Sequence, residues 1–293
     1  MKRLLSLLTA ASLIFALPCA AAFAANTEKY NFGSEEIVIA DTEDVFVQIT
    51  DIGYEEYSNE YTYEFAIVNR SNNPIEYGTD YACVNGYVVG SYMFGTIAGA
   101  RRAITYLEIL KDDVDRLQMN RVDELTFRFY VNEWIGDEMQ EVFSDTVTLY
   151  PGGADPDEVF SPAPEDFYPE LVFENEFIRF RIIDAKQVDG SPFYAVSCIL
   201  ENPNSFDITA ECTNFLVDGI PTDPFWLCRI PAGCRILSDI YIDEEAFSPA
   251  DFFEPDQISF TLALTEGWKD YTEDAPDTAP FFAYPLSFRP ARG

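Results

Sequence analysis

A signature that occurs twice, 133 residues apart, restricts how this chain can fold. The first copy reads Val84-Asn85-Gly86, Ser91-Tyr92-Met93-Phe94 and Ala98-Gly99-Ala100-Arg101. The second reads Val217-Asp218-Gly219, Pro224-Phe225-Trp226-Leu227 and Ala232-Gly233-Cys234-Arg235. Asn69 and Asn202, which end equivalent strands, keep the same spacing (202 − 69 = 133), whereas Ala98 and Ala232 are 134 apart, which predicts one inserted residue. A register held over this length predicts a duplicated module.

Both modules alternate apolar and polar residues over short stretches. Val45 to Ile49, Tyr61 to Val68 and Leu125 to Val131 have this period of two, which is typical of half-buried strands. Asn85-Gly86 is a two-residue hairpin signal. Asp112 to Leu117 predicts one helical turn capped by Asp112. We therefore expect an all-β fold of two tandem immunoglobulin-like antiparallel β-sandwiches.

Four segments are expected. Residues 1–25 have a basic start, an apolar run and the sequence Ala22-Phe23-Ala24, and they predict a cleaved signal peptide. Pro18 before Cys19 fits a lipidation motif poorly, so we expect a secreted, extracellular chain that does not insert into the membrane after cleavage. Residues 26–151 form module 1, the Pro- and Gly-rich residues 152–169 form an exposed linker, and residues 170–293 form module 2.

The charge balance and the missing residue types exclude several functions. With 18 Lys plus Arg against 51 Asp plus Glu, the formal net charge is −33, and such a chain repels nucleic acid and anionic membranes. The sequence has no His, so catalysis by Ser-His-Asp or Cys-His is impossible. No nucleotide-binding loop, zinc spacing or EF-hand loop occurs. We expect a protein that is not an enzyme and needs no cofactor or metal.

Five cysteines follow the signal peptide. Cys198, Cys212, Cys228 and Cys234 are the candidate disulfide cysteines, and the sequence does not choose among their three pairings. Cys83 is then the odd cysteine, and a buried free thiol is its expected state.

The candidate binding residues are aromatic. Tyr92, Phe225 and Trp226 lie between turn signals, where they either form an exposed platform or fill the core. Trp134 and Trp268 lie on equivalent end loops beside Gly136 and Gly267, which favours exposure. The acidic clusters are expected to be solvated loops.

The second module resembles a group of uncharacterised immunoglobulin-like (telokin-like) modules of exported Gram-positive bacterial proteins. The resemblance lies in Glu201-Asn202-Pro203-Asn204, Val217-Asp218-Gly219, Asp223-Pro224-Phe225-Trp226 and Pro231-Ala232-Gly233. The first module has a weaker version in Val68-Asn69, Val84-Asn85-Gly86 and Ile97-Ala98-Gly99. By analogy, the resemblance implies a binding or structural role.

Three functions stay open at this point. The first is a non-enzymatic binding or scaffold protein of the cell envelope, whose partner is an unidentified protein or glycan. The second is a carbohydrate-binding or carbohydrate-processing accessory protein that uses exposed loop aromatics. The third is a Ca²⁺-stabilised adhesin, for which the acidic loops are the only motivation.

Overall fold

Strands in both halves of the chain make up nearly all the regular structure. The computed structural model describes residues 37–119, 121–153, 155–162, 171–188, 190–224, 226–243, 255–267 and 279–290. The predicted signal peptide with Cys19, and the candidate residues Phe225 and Trp268, lie outside these ranges.

Module 1 has ten strands in the described residues. They are β1 (Ile37–Asp41), β2 (Val45–Glu55), β3 (Glu60–Asn69), β4 (Ile75–Val84), β5 (Tyr87–Val89), β6 (Ser91–Tyr92), β7 (Phe94–Ile97), β8 (Arg102–Leu110), β9 (Leu125–Ile135) and β10 (Glu138–Leu149). One short helix, α1 (Lys111–Arg116), follows β8. One sheet has the order β1-β2-β3-β8-β6, and the other contains β10-β9-β4-β5 with β7 also paired to β4.

Module 2 repeats this order. Its described strands are β11 (Leu171–Glu174), β12 (Arg179–Gln187), β13 (Phe193–Glu201), β14 (Ile208–Val217), β15 (Ile220–Pro221), β16 (Leu227–Ile230), β17 (Arg235–Asp243), β18 (Ile258–Glu266) and β19 (Phe282–Phe288). Strands β11-β12-β13-β17 lie in one sheet, and β15-β14-β18-β19 lie in the other, where β16 also pairs with β14.

The predicted alternation is what builds the two cores. Along β3, Tyr61, Tyr63, Phe65 and Ile67 are buried and the residues between them are half-buried. Phe65 meets Phe127 of the opposite sheet with ring centroids 5.9 Å apart. Such facing aromatic pairs bury large apolar areas between two sheets, so the all-β sandwich prediction is confirmed.

The duplication is visible in the strand registers. Glu60 pairs with Leu110 in module 1, and the residues 133 positions later, Phe193 and Asp243, pair in module 2. The hairpin turns also correspond, because Asn85-Gly86 and Asp218-Gly219 all have φ between 50° and 83°. Positive φ at both central residues is the geometry of a type I′ turn, so the hairpin prediction at Asn85-Gly86 is confirmed.

The predicted one-residue insertion is wrong. Asn69 N–H donates to the carbonyl of Arg101, and Asn202 N–H donates to the carbonyl of Cys234, which keeps the offset at 133. Ala100 (φ 53°) therefore corresponds to Gly233 (φ 69°). The pairs Ala98-Gly99 and Ala232-Gly233 are identical in sequence but are not structurally equivalent. The equivalent residues are the two that adopt the left-handed conformation.

The N-cap of helix α1 lies two residues before Asp112, the predicted cap. This N-cap is Leu110, which makes no side-chain capping bond. Asp112 lies in the first turn instead, and its carboxylate accepts a hydrogen bond from Asn59 Nδ2 at 2.8 Å.

One sheet continues from module 1 into module 2. Strand β5 pairs in parallel with β17, Tyr87 opposite Arg235 and Val88 opposite Ile236, so that β10-β9-β4-β5-β17-β13-β12-β11 is a single path. The modules themselves are antiparallel, as predicted, and the parallel ladder occurs where they join.

Candidate functional site

Two regions of the described chain bring together side chains that could act in binding. They are an aromatic face on module 1 and the junction between the modules. The aromatic face is the outer side of the sheet that contains β7, β4 and β9. We define it by Phe94, Tyr130 and Trp134.

The strand register puts these three rings on one side of the sheet. Gly78 of β4 lies opposite Phe94 of β7 and also opposite Tyr130 of β9, and directly paired residues point to the same face. Trp134 is four residues beyond Tyr130 on β9, so it shares that face. Phe94 is 50% exposed and Trp134 is 36% exposed.

Gly78 creates the space between two of the rings. A Cβ atom at this position would lie 2.6 Å from the hydroxyl oxygen of Tyr130, so the Tyr130 ring leans over the bare backbone. Burial raises the pKa of the Tyr130 phenol, and the carboxylates of Glu76 and Asp80 add to the effect. The phenol therefore stays neutral at physiological pH and can donate or accept a hydrogen bond.

Tyr92 belongs to the other sheet of module 1, where it lies in β6 opposite Glu108 of β8. Tyr92 is 64% exposed, whereas Met93 between Tyr92 and Phe94 is buried in the core. The aromatic cluster of the first signature is thus divided: the two rings point outward and the methionine fills the sandwich.

The second signature is used differently. Trp226 corresponds to Met93, is 7% exposed, and donates its indole N–H to the hydroxyl of Ser238 at 3.0 Å. It lies in the core of module 2 and offers no ring face to a ligand. Of the two interpretations of Trp226, the geometry supports core filling.

Trp134 also belongs to an apolar hairpin tip. It pairs with Met139 across the β9–β10 turn, and Ile135 is the next residue. All three side chains are exposed. The backbone N–H of Trp134 donates to the carbonyl of Pro74 at 2.9 Å, which fixes the base of the tip.

The junction between the modules is held by several kinds of contact. Arg235 of β17 donates from its guanidinium to Glu201 at 3.1 Å and to the hydroxyl of Ser161 at 3.1 Å, and lies 5.3 Å from the centroid of the Tyr87 ring. Tyr87 in turn donates its hydroxyl to the carbonyl of Pro162 at 2.7 Å. Arg235 therefore connects module 2, module 1 and the linker.

The linker is not fully exposed as predicted. Pro162 is buried, and Ser161 donates its hydroxyl to the carbonyl of Asn85 at 2.7 Å. The end of the described linker, at Ser161 and Pro162, thus contacts module 1, whereas residues 155–158 are exposed. The rest of it, residues 163–169, lies outside the described ranges.

Further ion pairs and apolar contacts cross the junction. Arg116 of α1 pairs with Asp239 of β17 at 3.0 Å, and Arg229 of β16 approaches Asp80 of β4 at 4.0 Å. Ile199 of module 2 belongs to the buried core cluster of module 1, and Ile183 and Leu237 pack against it. A groove of about 240 Å³ beside β5 and α1 is smaller than a typical ligand pocket.

The cysteines are distributed between a core and this junction. Cys198 and Cys228 are buried in the core of module 2, where burial raises both thiol pKa values, that of Cys228 to about 12. Cys83 lies in module 1 with its sulfur 3.0 Å from that of Cys234. All five described cysteines are free thiols here, so the structure selects no pairing among the four candidates.

Within the described ranges, no group of three or more Cys, Asp or Glu side chains is arranged to hold a metal ion. Nor does any helix in those ranges have the length and apolar character needed to cross a bilayer.

No family model matches the chain, and no curated protein matches it. Among solved structures, the SafA pilin in complex with the SafB chaperone from Salmonella enterica matches with 13% identity and a TM-score of 0.25, covering 85% of this chain and 98% of that one. A protein of unknown function from Porphyromonas gingivalis W83 matches with 8% identity and a TM-score of 0.22, covering 75% and 92%. Values this low identify no shared fold, so the fold assignment rests on the strands described above.

Proposed function

We propose that this chain is an exported, non-enzymatic binding or scaffold protein of the cell envelope, built from two immunoglobulin-like (telokin-like) modules of the kind found in exported Gram-positive proteins. The observation that carries the proposal is the junction. A continuous sheet, two ion pairs and a shared apolar cluster hold the modules in one orientation. Rigid spacing of two surfaces is what a scaffold needs, and loosely linked domains do not supply it.

Cell fractionation tests the export part of this proposal. The chain is expressed with its own leader, and the extracellular, envelope and cytosolic fractions are analysed by mass spectrometry. The expected result is a processed N-terminus after Ala24 or Ala25 in the outer fractions. Full-length chain confined to the cytosol would contradict the proposal.

Small-angle scattering tests the rigidity. The purified chain is expected to give a single compact profile that does not change with temperature below the unfolding transition, because the junction contacts fix the modules. A profile that requires a broad distribution of distances between the modules would exclude a rigid scaffold.

The aromatic face supports a second candidate function, binding of a glycan. Flat sheet faces with exposed rings suit sugar rings, whose C–H faces pack on aromatic side chains while nearby polar groups bond the hydroxyls. Here Glu76 and Asn132 are half-buried side chains between the rings, and they are paired across β4 and β9.

Affinity electrophoresis against a panel of envelope polysaccharides tests this candidate. Trp134→Ala and Phe94→Ala are each expected to weaken binding about tenfold, which corresponds to ~1.4 kcal/mol for a lost ring contact. Tyr57→Ala is the matched control, because Tyr57 is a fully exposed aromatic residue in the turn between β2 and β3. Equal binding by all variants, or no binding by the parent chain, would remove the glycan candidate and leave the scaffold proposal in place.

A further inference from the structure

Cys83 and Cys234 come from different modules and meet at the junction. They are 151 residues apart in sequence, and their Sγ atoms lie 3.0 Å apart, about 1 Å longer than a covalent S–S bond of ~2.05 Å. Cys83 is opposite Val88 in the β4–β5 hairpin, and Val88 is opposite Ile236 in the parallel ladder. The strand pairing between the modules is therefore what brings the two thiols together.

The two thiols differ in exposure and in acidity. Cys83 is buried, whereas Cys234 is half-buried in the turn that precedes β17. The Cys83 S–H donates to the sulfur of Cys234, which lowers the pKa of Cys234 and raises that of Cys83. Cys234 is thus the thiol that an oxidant reaches first, and it has the larger thiolate fraction.

The other described cysteines have no such neighbour in their hydrogen bonding. Cys198 donates its S–H to the carbonyl of Ser238 at 3.3 Å. Burial raises the pKa of Cys212, as it does for Cys198 and Cys228. These three thiols have the character of inert core residues.

We propose that Cys83 and Cys234 form a disulfide that covalently joins the two modules. The proposal rests on the proposed export, because disulfides persist in oxidising compartments outside the cytoplasm. The disulfide would add a covalent link to the scaffold at the junction, where β5 and β17 join one sheet of each module.

The reaction needs an oxidant of the disulfide class, either a dithiol–disulfide oxidoreductase or a small-molecule disulfide. The Cys234 thiolate attacks one sulfur of the oxidant, which breaks the oxidant's S–S bond and releases its first thiolate. Cys83 loses its proton and attacks the Cys234 sulfur, which displaces the oxidant's second thiolate. In total the protein loses two electrons and two protons, and the oxidant gains them as two thiols.

Tryptic mapping without reduction distinguishes the possible pairings. Cleavage after Arg70, Arg101, Lys186, Arg229 and Arg235 places Cys83 on peptide 71–101 and Cys234 on peptide 230–235. Cys198, Cys212 and Cys228 all fall on peptide 187–229. The expected product, from exported protein or from purified chain oxidised with glutathione disulfide, is peptide 71–101 linked to peptide 230–235. Reduction should separate the two peptides.

Cys83→Ala and Cys234→Ala should each abolish the linked peptide, and Cys212→Ala, the matched control, should retain it. Because Cys83 is buried and its replacement can impair folding, Cys234→Ala is the decisive variant. The oxidised parent should also melt a few degrees higher than the reduced parent, and this difference should vanish in Cys234→Ala.

Peptide 230–235 linked to peptide 187–229, or free after oxidation of the folded chain, would overturn the proposal. The oxidation is carried out on purified protein, so its failure does not depend on where the cell places the chain. If the purified chain forms the link but the cell retains the chain in the cytosol, the export proposal fails and the pairing stands.

Discussion

Asn202 is a buried side chain that ties two loops of module 2 together. Its amide nitrogen lies within hydrogen-bond distance of the carbonyls of Phe206, Ile230 and Pro231, at 2.9 to 3.1 Å, and its amide oxygen accepts from the N–H of Asn204. Asn69 makes the equivalent contacts in module 1, 133 positions earlier. The asparagine that ends this strand, Asn69 in module 1 and Asn202 in module 2, is therefore structural in both copies.

Asn202→Asp should destabilise module 2 by about 3 kcal/mol. The change keeps the shape of the side chain but replaces its N–H donors with an oxygen that faces three carbonyl oxygens, and unsatisfied buried groups are costly. Urea unfolding followed by fluorescence measures the effect. Asn72→Ala, at an exposed position, is the control and should change stability by less than about 0.5 kcal/mol. A small effect of Asn202→Asp would contradict this role.

Alkylation of the reduced, folded chain should follow the thiol pKa values. The thiolate is the reacting form, so a lowered pKa gives Cys234 a larger reactive fraction near pH 8, whereas the raised pKa values of Cys198, Cys212 and Cys228 keep them protonated. Iodoacetamide is therefore expected to label peptide 230–235 before peptide 187–229, as followed by mass spectrometry. The difference should disappear in denaturant, and equal rates in the folded chain would refute the ordering.

The turn before β8 and the turn before β17 have the same backbone conformation but are built from different residues. Both turns need a residue in the left-handed region, and it is Ala100 in module 1 and Gly233 in module 2. A Cβ atom in this conformation lies too close to the neighbouring carbonyl, which costs about 1 kcal/mol.

Ala100→Gly should stabilise module 1, and Gly233→Ala should destabilise module 2, each by about 1 kcal/mol. A Cβ atom at Gly233 would meet no atom within 4 Å, so the expected loss comes from the backbone alone. Chemical denaturation of both variants measures the pair. Effects of the same sign in the two variants would show that the turns are not equivalent.

The outer edge of β17 carries the connection between the modules. In module 1 the equivalent strand, β8, pairs with β3 and with β6 of its own module. In module 2, β17 pairs with β13 and takes β5 of the other module instead. The same strand edge is thus closed locally in one copy and used for assembly in the other.

Arg235→Ala should uncouple the unfolding of the two modules. The change removes the bonds to Glu201 and Ser161 and leaves the Glu201 carboxylate, which is mostly buried, with a longer contact to Arg179 at 3.6 Å. We expect a loss of about 2 kcal/mol and a broadened or divided thermal transition under reducing conditions. Calorimetry measures both.

Lys186→Ala is the matched control for Arg235→Ala. Lys186 pairs with Asp184 on the surface, and its side chain is 73% exposed, so its removal should change stability by less than about 0.5 kcal/mol. If Arg235→Ala unfolds as sharply as this control, other contacts hold the junction.

Local patterns were enough to predict the duplication, the sandwich class and the hairpin at Asn85-Gly86. Alternation with a period of two and residues that tolerate positive φ depend on the backbone within a few residues. Matching by residue type failed at Ala100 and Gly233, where two different residues adopt the same left-handed conformation. For Trp226 the sequence left exposure and burial open, and the structure shows that it is buried.

The tertiary structure alone decided how the modules join and which thiols meet. The parallel pairing of β5 with β17 and the approach of Cys83 to Cys234 join residues about 150 positions apart. No local pattern encodes such a contact, because it depends on which strand edge remains open after each sandwich has folded. The aromatic face has the same origin: β7, β4 and β9 bring Phe94, Tyr130 and Trp134 together only once they pair.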